Sequence, residues 1–234
     1  MGLRDGIPIA LGYLSVSFAF GIYATGSGLS VLEAVLISAF NVTSAGQLAA
    51  VPIIALGGSF LELALTQLII NLRYALMSVS LSQRMGSSVT VADRFLISFV
   101  NTDEVFAVAM SKEQAVGRKY MLSLILTPFI GWVSGTLLGA VAGNILPSVV
   151  VSALGIAIYA MFIAIVIPEA KKKRMTALCA VISVALSCLF YFVPTLKAIP
   201  SGFTVIICAV AASALLALIA PVPDTDGEEE RADA

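Results

Sequence analysis

Four ionisable residues, Glu62, Arg73, Asp103 and Glu104, stand inside long apolar stretches. A charge at the centre of a membrane-spanning helix costs at least about 2.5–3.5 kcal/mol, so each needs a partner, water or a task. Arg73 lies in Asn71-Leu72-Arg73-Tyr74, more than three turns into its stretch, and its planar guanidinium suits a carboxylate. The same anion is served by the free amides of a helix opening at Ser44-Ala45-Gly46-Gln47. Asp103 or Glu104, flanked by Asn101 and Thr102, can hold an ammonium group or relay a proton. The expected substrate-binding set is therefore Ser44, Ala45, Gly46, Gln47, Asn71, Arg73 and Asn101, with Arg73, Asp103 and Glu104 as proton relay or ion pair. The same residues admit a plainer reading, in which Arg73 and one carboxylate only lock two helices together. Glu62 lies nearer the outer end of its stretch, where it can face interfacial water.

The elements that position these residues follow from composition. Of 234 residues 59% are hydrophobic and only 12% charged, with mean hydropathy +1.03. Soluble domains are about 45–50% apolar. Long uncharged runs in lipid must satisfy their backbone internally, and the alternation of a barrel strand is missing, so the runs read as helices. The fold class is an all-α polytopic membrane protein. Six stretches have spanning length: 7–25, 60–81, 119–142, 151–168, 175–193 and 202–220. Two others, 31–57 and 93–110, carry polar centres that no lipid-facing helix would hold, and are expected to be broken or re-entrant. Residues 1–222 form one transmembrane domain; the acidic tail, 223–234, is expected to be a disordered cytoplasmic end.

Charge placement sets orientation. If both odd segments return to the side they came from, Arg4, Arg84, Arg94, Lys112, Arg118, Lys119, Lys171 to Arg174 and Arg231 are cytoplasmic, and only Lys197 is outside. Both termini are then cytoplasmic in an inner membrane. If both segments crossed fully, Arg84 and Arg94 would move outside, weakening the bias without reversing it. The two segments also resemble each other at a spacing of 60 residues: Leu36-Ile37-Ser38 matches Leu96-Ile97-Ser98, Asn41 matches Asn101 and Ala49 matches Ala109. One enters from outside and the other from the cytoplasm, which makes an inverted repeat, a recurrent transporter design.

Other features exclude classes. Cys179, Cys188 and Cys208 fall in apolar runs, the chain has no His, and no metal or cofactor is expected. No phosphate loop is present, so an ATP-driven motor would come from another chain, and no activated nucleophile supports an intramembrane enzyme. No cleaved signal is expected ahead of the first span. Gly131, Gly135 and Gly139 recur every fourth residue in one span, and small Ser152 and Gly155 lie in the next; such faces let helices approach closely, with each other or with a partner protein.

Gly6-Ile7-Pro8 with Phe18-Ala19-Phe20-Gly21, the Ser44-Ala45-Gly46-Gln47 break, Asn71-Leu72-Arg73-Tyr74 and Thr102-Asp103-Glu104-Val105-Phe106 together resemble the AzlC family, over essentially the whole chain from Gly2 to Pro221. The resemblance implies the large subunit of an exporter of leucine, isoleucine, valine and sometimes methionine, working with a small AzlD-type membrane subunit. Two departures bear on mechanism. The family commonly has His after the Arg, where this chain has Tyr74, so a proton route through imidazole is excluded and carboxylates remain. The ABC-permease label attached to the family finds no ATPase coupling signature here. The expected activity is proton-coupled export of branched-chain amino acids; the alternative is a passive channel or a structural subunit of a transport complex.

Overall fold

A computed structural model describes residues 1–143, 145–147, 149–150, 163, 166–168 and 170–219. The chain divides into two compact units, Met1–Phe162 and Ile163–Ala234. The first holds α1 (Gly2–Gly26), α2 (Val31–Phe40), α3 (Ser44–Ala55), α4 (Phe60–Arg84), α5 (Val91–Phe99), α6 (Asp103–Met110) and α7 (Arg118–Gly143). The second holds α8 (Arg174–Phe192) and α9 (Ser201–Ile219), which pack on each other. Five of these, α1, α4, α7, α8 and α9, are long and apolar enough to span a membrane, and the fold is an all-α polytopic membrane protein. The sixth expected span, 151–168, falls largely outside the described residues, as do Ser152, Gly155 and the tail 223–234.

Both segments with polar centres are broken helices. Asn41-Val42-Thr43 separates α2 from α3, and Val100-Asn101-Thr102 separates α5 from α6. Their beginnings match as well: Ser30 with Glu33, and Thr90 with Asp93, each form a reciprocal capping box at the same 60-residue offset. Each box satisfies otherwise orphaned amides at the helix start.

The frame is α1 against α7. A Cβ built at Gly131 would lie 2.5 Å from the Ala10 carbonyl oxygen, one at Gly135 2.5 Å from that of Leu14, and one at Gly139 would collide with that of Phe18. From the other side, a Cβ at Gly21 would lie 2.5 Å from the Ala140 amide nitrogen. The glycine face expected on α7 thus packs against the backbone of α1. Contact positions rise together along both chains, so the two helices run parallel.

Terminal contacts show that both broken segments are hairpins. At the start of α5, Asp93 pairs with Arg118 at the start of α7 (2.8 Å), and Arg94 Nη1 donates to Ser82 O near the end of α4 (2.8 Å). At the far end of α6, Arg84 Nη2 donates to Lys112 O (3.3 Å), and Lys112 Nζ pairs with Asp5 at the start of α1 (2.8 Å). The segment thus enters and leaves beside the N-termini of α1 and α7. Hydrogen bonds to Asp5 and Tyr120 hold the Lys112 ammonium above the ordinary lysine pKa. The α2–α3 hairpin occupies the opposite end: Leu29, Ala34 and Val51 cluster with Ala24 and Ala140 near the C-termini of α1 and α7. The two hairpins therefore point at each other from opposite ends, the inverted arrangement. Basic residues follow the same division, since Arg4, Arg84, Arg94, Lys112, Arg118 and Lys119 all gather at the α5–α6 end, whereas residues 27–60 contain none.

Glu62 lies in the first turn of α4. It is 4% exposed, with its backbone amide capped by Ser59 Oγ at 3.1 Å. The turn before α4 brings Gly58 so close that a Cβ there would stand 3.0 Å from Glu62 Oε2.

Candidate functional site

One helix reads both breaks. Gln67, Asn71, Tyr74 and Ser78 fall three or four residues apart on α4, so they form a single polar stripe. Gln67 Nε2 donates to the Gly46 carbonyl (2.8 Å), and its Oε1 accepts from Asn41 Nδ2 (2.9 Å) and Asn71 Nδ2 (3.2 Å). Three turns on, Ser78 Oγ accepts from Asn101 Nδ2 (3.0 Å). The two asparagines related by the repeat are thus both clamped to α4. A Cβ at Gly46 would stand 2.6 Å from Gln67 Oε1 and 3.0 Å from Asn41 Nδ2, so the glycine lets both side chains come this close.

Between the clamps lies a cavity of about 180 Å³. Its polar wall is Asn41, Thr43, Asn71, Tyr74, Ser98 and Asn101, and its apolar wall is Phe40, Val42 and Phe99. Both breaks line it. Helix ends converge here, but they differ. Thr102 caps α6 by accepting from the Val105 amide (3.4 Å), and α6 carries its own Asp103 and Glu104 in the first turn. Thr43 makes no side-chain cap to α3, whose first turn holds no acid. The positive end of α3 is therefore uncompensated by the chain's own side chains.

Arg73 Nη2 meets Asp103 Oδ2 at 2.8 Å. Arg73 is roughly 20 Å along the axis from the start of α4 and roughly 16 Å from its end, about the middle of a bilayer core. The pair is half-exposed, 58% and 47%, and neither residue lines the cavity. Tyr74 joins the two regions: it lines the cavity, and its hydroxyl accepts from Arg73 Nη2 at 2.9 Å, with the guanidinium 4.7 Å from the ring centre. Glu104 is held differently from Asp103. It meets the hydroxyl of Tyr13, a buried residue on α1 that also stands 2.6 Å from Thr102 Oγ1 and packs edge-on against Trp132. A phenol carries one proton, so Tyr13 donates to one of these oxygens at a time.

Of the residues expected from sequence, Asn71 and Asn101 line the cavity, Arg73 and its partner Asp103 are joined to it through Tyr74, and Glu104 is held apart by Tyr13. Ser44, Ala45 and Gly46 form the first turn of α3, next to the lining residue Thr43. Gln47 faces elsewhere: its Oε1 accepts from Ser38 Oγ (2.8 Å), which also meets Thr136 Oγ1 (2.6 Å), tying the α2–α3 hairpin to α7. Sequence reasoning missed Tyr13, Thr43, Gln67 and Ser78. The helical spacing of 67, 71, 74 and 78 in an apolar run was the signal for two of them.

Known proteins give this arrangement its lineage. A model of the family described as AzlC protein matches residues 8–146. Inner membrane protein YgaZ of Escherichia coli (strain K12) is 32% identical over 193 residues, covering 80% of this chain and 79% of that protein. An uncharacterized membrane protein of Archaeoglobus fulgidus is 33% identical over 180 residues, covering 75% and 78%. No solved structure matches. With the family match spanning more than half its length, and with relatives alike over three quarters of theirs, this chain belongs to the AzlC family of membrane proteins.

Proposed function

We propose that the chain is a secondary exporter of branched-chain amino acids, taking leucine, isoleucine and valine with methionine at the edge of its range. It acts as the large subunit beside a small AzlD-type membrane partner and is coupled to the proton gradient. The observation that carries this reading is the cavity between two opposed half-helix breaks, polar on one wall and apolar on the other. Its 180 Å³ is room for a small amino acid. The amides of Ser44, Ala45 and Gly46 at the uncapped start of α3 receive the carboxylate. Phe40, Val42 and Phe99 receive the aliphatic side chain. Arg73, Asp103 and Glu104, with Tyr13 against Glu104, supply the charge that proton coupling uses. The half-exposed pair, flanked on α4 by exposed Leu68, Leu72 and Leu76, favours cover by a second membrane subunit.

Cells loaded with a leucine-containing dipeptide test the activity. Export should lower internal leucine against a gradient and stop when the proton gradient is collapsed. A passive channel or a structural subunit would only equalise leucine or leave it unchanged, and either result would sink the proposal.

Both termini are proposed to be cytoplasmic, in an inner membrane, a reading supported by the basic residues gathered at the α5–α6 end of the first unit. In a background without Cys179, Cys188 and Cys208, we expect Ser87→Cys to label only from the cytoplasm, and Leu56→Cys and Lys197→Cys only from outside. Labelling of position 197 from the cytoplasm alone would overturn the topology.

A further inference from the structure

We infer that the cavity recognises a primary ammonium group through three neutral oxygens, Asn71 Oδ1, Asn101 Oδ1 and Thr43 Oγ1, and not through Asp103 or Glu104. This rests on the reading of the cavity as the solute site and specifies which end of the solute the Asn wall binds.

The chain of orientation starts at a backbone group that can only accept. The Gly46 carbonyl turns the amide of Gln67 so that Nε2 faces it. Gln67 Oε1 must then face Asn41 and Asn71, and it takes the Nδ2 of both. Among the described residues, Asn71 Oδ1 is thereby left pointing away from the clamp, buried and without a partner. At the second break, Asn101 commits Nδ2 to Ser78 and leaves Oδ1 buried and, among the described residues, unpartnered. Thr43 sits at a helix start but makes no cap, and among the described residues its Oγ1 is also buried and unpartnered. Asn101 and Thr43 are only 4% and 6% exposed.

All three residues line the same cavity. A buried polar atom without a hydrogen bond carries a desolvation penalty that native proteins rarely leave uncompensated. Here three such atoms belong to residues that line one cavity, two of them acceptors only. An ammonium group carries three donors and no acceptor, which matches the set. A keto group in its place would set oxygen against oxygen, and a hydroxyl, with one proton, could donate to only one of the three. The acidic residues are poor alternatives, since neither lines the cavity, Asp103 is engaged by Arg73, and Glu104 is engaged by Tyr13.

The test measures binding, separately from export. Thermal unfolding of the purified full-length chain is titrated with leucine, with isoamylamine, and with the α-hydroxy analogue of leucine, in which hydroxyl replaces ammonium. Leucine and isoamylamine should raise the midpoint, and the hydroxy acid should bind at least about tenfold more weakly than leucine. Asn101→Leu, which keeps bulk and removes the oxygen, should bring that ratio to within about twofold. Asn101→Asp, which keeps an oxygen that the Ser78 hydroxyl can turn to meet, should preserve it. The ratio compares two ligands on one variant, so a general loss of stability cancels. Should Asn101→Leu fail to fold, Thr43→Val removes a hydroxyl with no capping role and should also lower the ratio. Equal binding of leucine and its hydroxy analogue, a ratio untouched by these variants, or no shift with any of the three compounds would overturn the inference. Stabilisation by isoamylamine without leucine would sustain the ammonium site while sinking the amino-acid reading; equal stabilisation by the two acids would do the reverse.

Discussion

Gly139→Val should leave little or no folded protein in the membrane. Any Cβ at this position meets the Phe18 carbonyl oxygen, a backbone group that no rotamer change can move. Relief requires α1 and α7 to separate, and separation also opens the contacts at Gly131 and Gly135. Forcing extra carbon into a packed interior costs about 1–3 kcal/mol even where side chains can adjust. Here they cannot, and total stability is on the order of 5–15 kcal/mol. Gly139→Ala should already lower the unfolding midpoint, and valine should go further. The comparison is Gly12→Ala on α1, where a Cβ meets nothing within 4 Å. That change should be neutral or stabilising by about 0.5–1 kcal/mol, the ordinary advantage of alanine over glycine in a helix. Size-exclusion profiles and unfolding midpoints of detergent-solubilised protein measure both. If the Gly139 and Gly12 variants behave alike, the α1–α7 packing described above is wrong.

Conservative changes around Arg73 should cut export by about an order of magnitude while leaving the protein in the membrane. Arg73→Lys keeps the charge but loses the planar guanidinium, whose Nη2 meets both Asp103 and the Tyr74 hydroxyl and which lies over the Tyr74 ring. Asp103→Asn and Glu104→Gln keep shape and remove a carboxylate, so both should alter the pH dependence of export. Truncation is a blunter tool. Breaking a fully buried ion pair costs about 3–5 kcal/mol, and this pair is half-exposed, so Arg73→Ala should cost less but still combine instability with lost activity. Leucine export from dipeptide-loaded cells, normalised to membrane protein and followed across external pH, reads the outcome. Wild-type rate and pH dependence in all three conservative variants would leave the pair with a purely structural role.

The broken helices were legible because hydrocarbon tolerates Asn41, Thr43, Asn101 and Thr102 only at a break. Their pairing was legible because the repeat keeps residue type at a fixed offset. The partner of the α7 glycines was not. It is the backbone of α1, and carbonyl oxygens at Ala10, Leu14 and Phe18 carry no mark in a sequence. Charge drew sequence reasoning to Arg73, Asp103 and Glu104, whereas the cavity itself is walled by neutral residues. Gln67 and Ser78 were readable from helical spacing, since a polar stripe in an apolar helix needs a partner. Tyr13 was not, because an aromatic residue in a spanning helix looks the same whether it packs or donates a proton. The burial of Glu62 was not legible either, since distance along a helix does not tell which face meets protein.

Parallel packing of the first helix on the seventh also imposes a waiting time during synthesis. After α1 ends at Gly26, residues 27–143 must be made before its partner is complete at Gly143. At roughly 5–20 residues per second, that is about 6–23 s. For that interval α1 stands in lipid with Gly6 and Gly21 uncovered, while both hairpins and α4 are delivered without the frame they finally rest on. The α1–α7 frame is therefore closed only when α7 is made, and a ribosome stalled anywhere before Gly143 leaves every earlier segment in the bilayer without the complete surface that fixes its position.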